Sequence, residues 1–241
     1  MDIWGITDRG VVREENQDAI GIEILTAQQM LAVVCDGMGG ARAGRVASAM
    51  AMERFTEQFK AFHSQGGLSA AQMLEESVQC ANEAVFHHAQ THSECYGMGT
   101  TLVAALADRE QVDIVNVGDS RAYLVTAEGI TRVTRDHSLV EDLVLRGELT
   151  AEEARFHPNK NLITRALGAD EQVQADLFSL QVKPGSYLLL CSDGLSNVVS
   201  DQEILYEVIH GEQADTCCRR LLDIAIKRGA PDNVSVALIQ C

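Results

Sequence analysis

Aspartate recurs in five short motifs along the chain: N-Q-D at 16–18, D-G-M-G-G at 36–40, G-D-S at 118–120, S-D-G at 192–194 and D-N at 232–233. Three of them follow an apolar run: L-A-V-V-C before Asp36, V-D-I-V-N-V before Gly118 and Y-L-L-L-C before Ser192. An aspartate at the end of a buried strand sits on a rigid support, and a neighbouring glycine lets the backbone approach a ligand closely. Carboxylates gathered at one point repel each other and resist burial, so a cluster of them calls for cations. All-oxygen donors suit Mg²⁺ or Mn²⁺. These residue types describe a metalloenzyme.

To bring the motifs together, several strands must end at one place. Strand patterns cover 3–7, 19–25 and 30–35, the last a continuous apolar run that marks a central strand. Apolar residues then recur at helical spacing from 43 to about 62, through Val46, Ala49, Met50, Phe55 and Phe59. A second long helix runs from Ser69, a good N-cap, to about 91. Gly66 and Gly67 lie between the two, which predicts an antiparallel helical pair. Strands at 100–107, 112–117, 122–126 and 129–133, joined by short polar turns, predict an antiparallel meander. The pattern breaks over 138–165, with a short helix, a T-A-E-E capping signal at Thr150 and the segment F-H-P-N-K-N. Strands return at 174–182 and 187–191, helices at 201–210 and 213–228, and a last strand at 234–239. Blocks of strands and helices without strict β-α-β units predict an α+β architecture, with helices layered over antiparallel sheets.

Composition narrows the function classes. A chain of 241 residues, 46% hydrophobic and 22% charged, can bury one large core. Its 3 prolines leave no linker-like stretch, so residues 1–241 are expected to form a single domain. A formal net charge of −16 argues against nucleic acid or an anionic membrane as partner. No apolar run approaches the ~20 residues of a spanning helix, and the M-D-I-W-G-I-T start carries no leader pattern, so no membrane insertion is expected. The 7 cysteines form an odd set without a C-x-x-C pair or zinc spacing, which fits a reducing compartment. A cytoplasmic, monomeric protein is expected.

Taken together, the motifs resemble the metal-dependent Ser/Thr protein phosphatases of type 2C, in the compact form common in bacteria. The match keeps the family's order over essentially the whole chain. It runs T-D-R-G-V-V-R-E-E-N-Q-D, V-C-D-G-M-G-G, G-M-G-T-T-L, V-G-D-S-R-A-Y, T-R-D-H-S, R-A-L-G, L-L-C-S-D-G-L and P-D-N-V-S-V. A lone D-G or G-D-S would mean little, whereas eight segments in register are specific. The resemblance implies a four-layer α-β-β-α sandwich, two antiparallel sheets flanked by helical pairs, which agrees with the element order above.

It also implies a division of labour. Asp36 bridges two Mn²⁺ or Mg²⁺ ions, the Gly37 carbonyl ligates one of them, and Asp193 and Asp232 ligate the other. Asp119 with Asp193 matches the place where bacterial members hold a third, weaker ion. Arg13 grips the phosphoryl group, for which a planar, always charged guanidinium is suited. Asp18 orients a metal-bound water from behind the ligands, framed by Asn16 and Gln17, and Asn233 holds Asp232. The implied reaction is hydrolysis of phosphoserine and phosphothreonine in proteins by a hydroxide that bridges the metals. Arg13, Asp36 and Asp193 are its catalytic residues. A cognate bacterial Ser/Thr kinase is the implied counterpart. Metal ions and Arg13 would also let so acidic a chain accept a phosphorylated substrate. Taken singly, the same residues have plainer readings: D-G is a common turn, and Arg13 can pair with Glu14 or Glu15. One position departs from the family. Eukaryotic members carry a histidine two places after the bridging aspartate, where this chain has Met38, which cannot protonate a leaving oxygen.

Other residues receive structural readings. His137 of R-D-H-S is expected to be a hydrogen-bonded structural histidine. His88 and His92, one helical turn apart, belong to a solvated helix face. Cys191 would share a strand face with Asp193 if the strand reached it, and a buried, inert thiol is expected. Residues 138–165 match the family's flap beside the active site, a loop that meets protein substrates. Two other functional classes stay open: a catalytically silent relative that serves as a binding module, and a phosphatase of small phosphate esters.

Overall fold

A computed structural model describes residues 1–40, 42–211 and 214–241. Gln213, the predicted first residue of the last helix, lies outside them. The chain opens with β1 (Asp2–Asp8), β2 (Asp18–Thr26) and β3 (Gln29–Met38), then two long helices, α1 (Ala43–Gln65) and α2 (Ala70–Thr91). Four strands follow: β4 (Gly99–Thr100), β5 (Leu102–Ala107), β6 (Gln111–Val117) and β7 (Arg121–Thr126). After β8 (Gly129–Arg132) come the short helices α3 (Leu139–Leu145) and α4 (Ala151–Phe156), then β9 (Asp176–Gln181) and β10 (Tyr187–Cys191). The chain closes with α5 (Asp193–Ser196), α6 (Asp201–His210), α7 (Ala214–Lys227) and β11 (Val234–Gln240).

Both faces of the central strands are covered, which is why their sequences read as unbroken apolar runs. In β3, Leu31, Val33 and Cys35 belong to the core shared with α1 and α2, while Ala32 and Val34 face the opposite sheet. In β10 and β11, Leu189, Cys191, Val234, Val236 and Leu238 pack against α6 and α7. Leu188, Leu190, Ala237 and Ile239 fill the space between the sheets. One sheet runs β1-β11-β10-β7-β8, the other β2-β3-β5-β6-β9 with β4 on β3, and the paired strands are antiparallel. The result is the expected four-layer α-β-β-α sandwich.

Caps fall where the sequence places them. Ser69 and Gln72 form a capping box on α2, and Thr150 and Glu153 form one on α4. Gly66 and Gly67, at φ of 70° and 93°, turn the chain between α1 and α2.

The predicted meander is corrected. β5 and β6 pair in one sheet, β7 and β8 in the other, and the chain crosses between sheets at the G-D-S motif. A short polar turn reads the same whether it closes a hairpin or leads to another sheet. Here Gly118, at φ of 104°, makes the crossing.

Phe55 is fully buried and stacks on Phe59 with ring centroids 6.2 Å apart, fastening α1 to β3. Phe55→Ala is expected to cost about 3–5 kcal/mol, read from the urea unfolding midpoint. A cost below about 1 kcal/mol would show that this layer repacks freely.

Candidate active site

The strand registers put six strand ends at one end of the sandwich. Asp18 opens β2 directly opposite Asp36 near the end of β3. Cys191 closes β10 opposite Arg121 at the start of β7 and Val236 near the start of β11. Asp119 lies on the crossing from β6 to β7, Asp193 follows β10, and Asp232 precedes β11. Arg13 lies on the loop from β1 to β2. Both sheets thus deliver their aspartates to one place. Arg13, Asp36, Gly37, Asp119, Asp193 and Asp232 line a single open cleft of about 570 Å³. Asn161 and Ile163 reach it from the segment between α4 and β9.

Neighbouring residues hold several of the ligand candidates in place. The Asp36 N–H donates to Thr101 Oγ1 (2.9 Å), and the Asp36 carbonyl accepts from the Thr101 N–H and from Thr100 Oγ1, both at 2.9 Å. Thr101 Oγ1 also meets Ser120 Oγ at 2.7 Å, which links Asp36 to the Asp119 turn. A Cβ on Gly37 would sit 2.0 Å from the Gly44 carbonyl oxygen and 2.6 Å from that of Gln17, so only glycine fits. Asp193 begins the short α5; Asn197 Nδ2 donates to its Oδ2 at 2.9 Å.

Arg13 donates to Asp232 Oδ2 at 2.7 Å and has no ion pair with Glu14 or Glu15. Asn233 spends its side chain on the loop that carries Arg13. Its Oδ1 accepts the Gln17 N–H (2.8 Å), and its Nδ2 donates to the carbonyls of Arg9 (2.9 Å) and Glu15 (3.0 Å). It reaches the Asp232 carboxylate through its backbone N–H at 2.9 Å.

Asp18 lies behind the cleft wall and is buried. Its Oδ2 accepts from Ser192 Oγ (2.8 Å) and Ser235 Oγ (2.7 Å), which pins β2 to the other sheet. Asn16 Oδ1 accepts the Asp18 N–H at 3.2 Å, and Gln17 Nε2 donates to the Gly40 carbonyl. Ser192, Ser235 and Thr101 support the site and had no role in the sequence reading; all three lie inside quoted motifs, which was the available signal.

The electrostatics oppose the arrangement. Burial, then Asp18, Asp193 and Asp119, hold Asp36 well above the usual carboxylate range. Burial lifts Asp119 to about 8, with Asp193 and Asp136 adding to it. Burial lifts Asp18 to about 7 against the pull of the Ser235 and Ser192 hydroxyls. Asp193 is raised by burial and by Asp232. The Asp232 hydrogen bond raises Arg13.

The donor set fits divalent cations. Asp18 Oδ1 and Asp193 Oδ1 are buried without a hydrogen-bond partner, as oxygens meant for an ion or its waters would be. Among the described residues, no group of three or more His, Cys, Asp or Glu side chains is gathered so that it could hold an ion by side chains alone. An open set of donors suits ions that keep several waters.

The remaining sequence candidates fall outside the cleft. His88 and His92 stack face to face at 3.9 Å, with His92 capping the end of α2. The strand ends at Cys191, so this thiol points into the core beneath α6 and α7 instead of sharing a face with Asp193; burial raises it to about 12.

Comparison with known proteins agrees with this fold. Residues 11–220 match the protein phosphatase 2C family, and the chain belongs to it. A serine/threonine phosphatase stp of Listeria innocua is 38% identical over 97% of this chain and 93% of its own length. Protein phosphatase PhpP of Streptococcus pneumoniae is 35% identical over 99% and 97%. The crystal structure of Stp1 from Staphylococcus aureus superposes with a TM-score of 0.92, at 38% identity over 100% of this chain and 94% of that one. The catalytic domain of the phosphatase PstP, in complex with two manganese ions, superposes at 0.86, with 34% identity over 98% and 96%.

Asn233→Ala removes the acceptor of the Gln17 N–H. Amide exchange at Gln17 is expected to quicken about tenfold while the centre of α1 keeps its protection; unchanged exchange at Gln17 would mean the loop is held by other contacts. Asp18 adds a pH dependence. A carboxyl that ionises at about 7 when folded, against 3.8 ordinarily, binds more protons folded than unfolded between those values. Its ionisation therefore destabilises the fold as pH rises through that window. Metal-free wild-type protein is expected to lose stability relative to Asp18→Asn from about pH 4 to about pH 7, followed by urea unfolding. A flat or opposite trend would refute this.

Proposed function

We propose that the chain is a Mn²⁺- or Mg²⁺-dependent phosphatase that removes phosphate from phosphoserine and phosphothreonine in proteins, opposing a Ser/Thr protein kinase. The observation that carries the reading is the meeting of Asp36, Asp119, Asp193 and Asp232 with Arg13 in one open cleft. The serine/threonine phosphatases that cover nearly the whole chain support the substrate class. Asp36, the Gly37 carbonyl, Asp193 and Asp232 would hold two ions, and Asp119 with Asp193 a third. When bound, such ions supply a hydroxide nucleophile at neutral pH and neutralise charge on the phosphoryl group.

The chain's own groups do the rest. Arg13 stands half exposed at the cleft, on a loop fixed by Asn233. With Asp232 held as a ligand, the guanidinium would be free to present its fork to the phosphoryl oxygens. The free Oδ1 of Asp18 is a buried acceptor that orients a water behind the ligands. Met38 lines the cleft and, among the described residues, no histidine does, so the proton for the leaving oxygen comes from a group other than imidazole. Residues 138–165 act as the flap of a single catalytic domain spanning 1–241. Their stem is closed by the Leu139 N–H donating to the Leu162 carbonyl (2.9 Å) and the Thr164 N–H donating to that of His137 (2.8 Å). Among the described residues no helix is long and apolar enough to cross a membrane, and all seven cysteines are free. We place the protein in the cytoplasm as a monomer.

The test is phosphate release from a phosphothreonine peptide as Mn²⁺ is raised from zero. Activity is expected to require metal, to vanish with chelator, and to fall at least about 100-fold in Asp193→Asn, a loss of about 2.7 kcal/mol of transition-state stabilisation. Arg13→Ala is expected to lower kcat/KM by about 10- to 100-fold. Folded protein without activity at any metal level would instead indicate a binding module. Faster turnover of small phosphate esters than of the peptide would indicate a small-ester phosphatase.

A further inference from the structure

His137 is buried and uses each of its polar groups to join separate parts of the molecule. Its backbone N–H donates to the Gly118 carbonyl at 2.9 Å, and its ring Nδ1 accepts the Gly118 N–H at 3.1 Å. Its carbonyl accepts the Thr164 N–H at the flap stem. Its Nε2 lies 3.3 Å from Asp176 Oδ2 at the start of β9 and 3.3 Å from Arg165 Nη1. Accepting the Gly118 N–H requires a lone pair on Nδ1, which places the ring proton on Nε2, facing Asp176. Gly118 has little freedom to answer otherwise. Its φ is 104°, a Cβ there would meet Thr101 Cγ2 at 2.5 Å, and Asn116 Nδ2 donates to its carbonyl at 3.2 Å. Asp119 is the next residue, so this turn sets the aim of its carboxylate into the cleft. His137 itself does not line the cleft.

We propose that His137 is a positioning residue: from the flap stem it fixes the 118–120 turn, and through it the aim of Asp119, tying the flap to the metal site. The inference rests on the reading of Asp119 as a metal ligand given above.

The experiment compares wild type, His137→Ala, His137→Asn and His137→Gln, alone and in an Asp119→Asn background. Mn²⁺ binding is read by calorimetry, and kcat and KM are read on a phosphothreonine peptide across Mn²⁺ concentrations. Asparagine can place an oxygen near the position of Nδ1 and keep the bond to Gly118, whereas glutamine reaches only toward Nε2. His137→Ala and His137→Gln are expected to weaken Mn²⁺ binding about tenfold, with His137→Asn close to wild type. In the Asp119→Asn background the same substitutions are expected to change binding less than about twofold, because the group they act through is gone. Equal effects in both backgrounds, or glutamine matching asparagine, would overturn the proposal. If alanine fails to fold, the asparagine and glutamine pair still decides it. Calorimetry reads the inference even where wild-type protein hydrolyses nothing, which separates its failure from failure of the phosphatase reading.

Discussion

The rest of the structure depends on keeping several buried carboxylates together at one end of a sandwich. Burial and mutual repulsion raise Asp36, Asp119, Asp18 and Asp193 above their ordinary range, so this end of the fold works against itself. What resists is the regular hydrogen bonding of two sheets, because each carboxylate is carried by the end of a different strand or the turn beside it. The links between them use main chain and hydroxyls: Thr101 joins Asp36 to Ser120, and Ser192 and Ser235 join Asp18 to the opposite sheet. Neutral donors can approach a crowd of anions without adding charge to it. Under the function proposed above, cations would find a well-built place to neutralise, and so let an acidic chain accept phosphate.

Much of this was legible in the residues. Three of the motif aspartates announce themselves because they come at or near the end of an apolar run, which marks where a central strand nears its end. The element order was readable because α1, α2, β3 and β10 carry strong periodic or continuous apolar patterns. Three things were hidden, each for a physical reason. The sheet crossing at Gly118 looks like any polar turn, since pairing is decided by residues far away. The partner of Arg13 lies 219 positions along the chain, so proximity in sequence pointed to Glu14 and Glu15 instead. Cys191 looked like a neighbour of Asp193 on one strand face, but β10 ends at the cysteine and a helical turn begins at the aspartate.

The segment of residues 138–165 shows how local and distant contacts share a task. Its short helices are capped by their own residues, as Thr150 and Glu153 do for α4, while α3 also buries Val140 and pairs Glu141 with Arg132. Its stem, in contrast, is tied to the body through His137 and Arg165 to Asp176. Toward the tip, Phe156 is 83% exposed. A segment rigid at the root and bare at the tip can vary in what it presents to a protein surface without disturbing the strand ends beneath it.

The place of β11 in its sheet has a consequence for how the chain is made. β11 lies between β1 and β10, and among the described residues β1 pairs with it alone, register running from Asp2 opposite Gln240 to Asp8 opposite Val234. β1 is synthesised well before β11 and must therefore wait for it before it can pair. Asp232 and Asn233 arrive with that last strand, so the arginine loop is fastened and the donor set completed in the same closing event. A chain that ends between residues 193 and 232 carries Asp36, Asp119 and Asp193 and still lacks Asp232 and the strand that β1 pairs with.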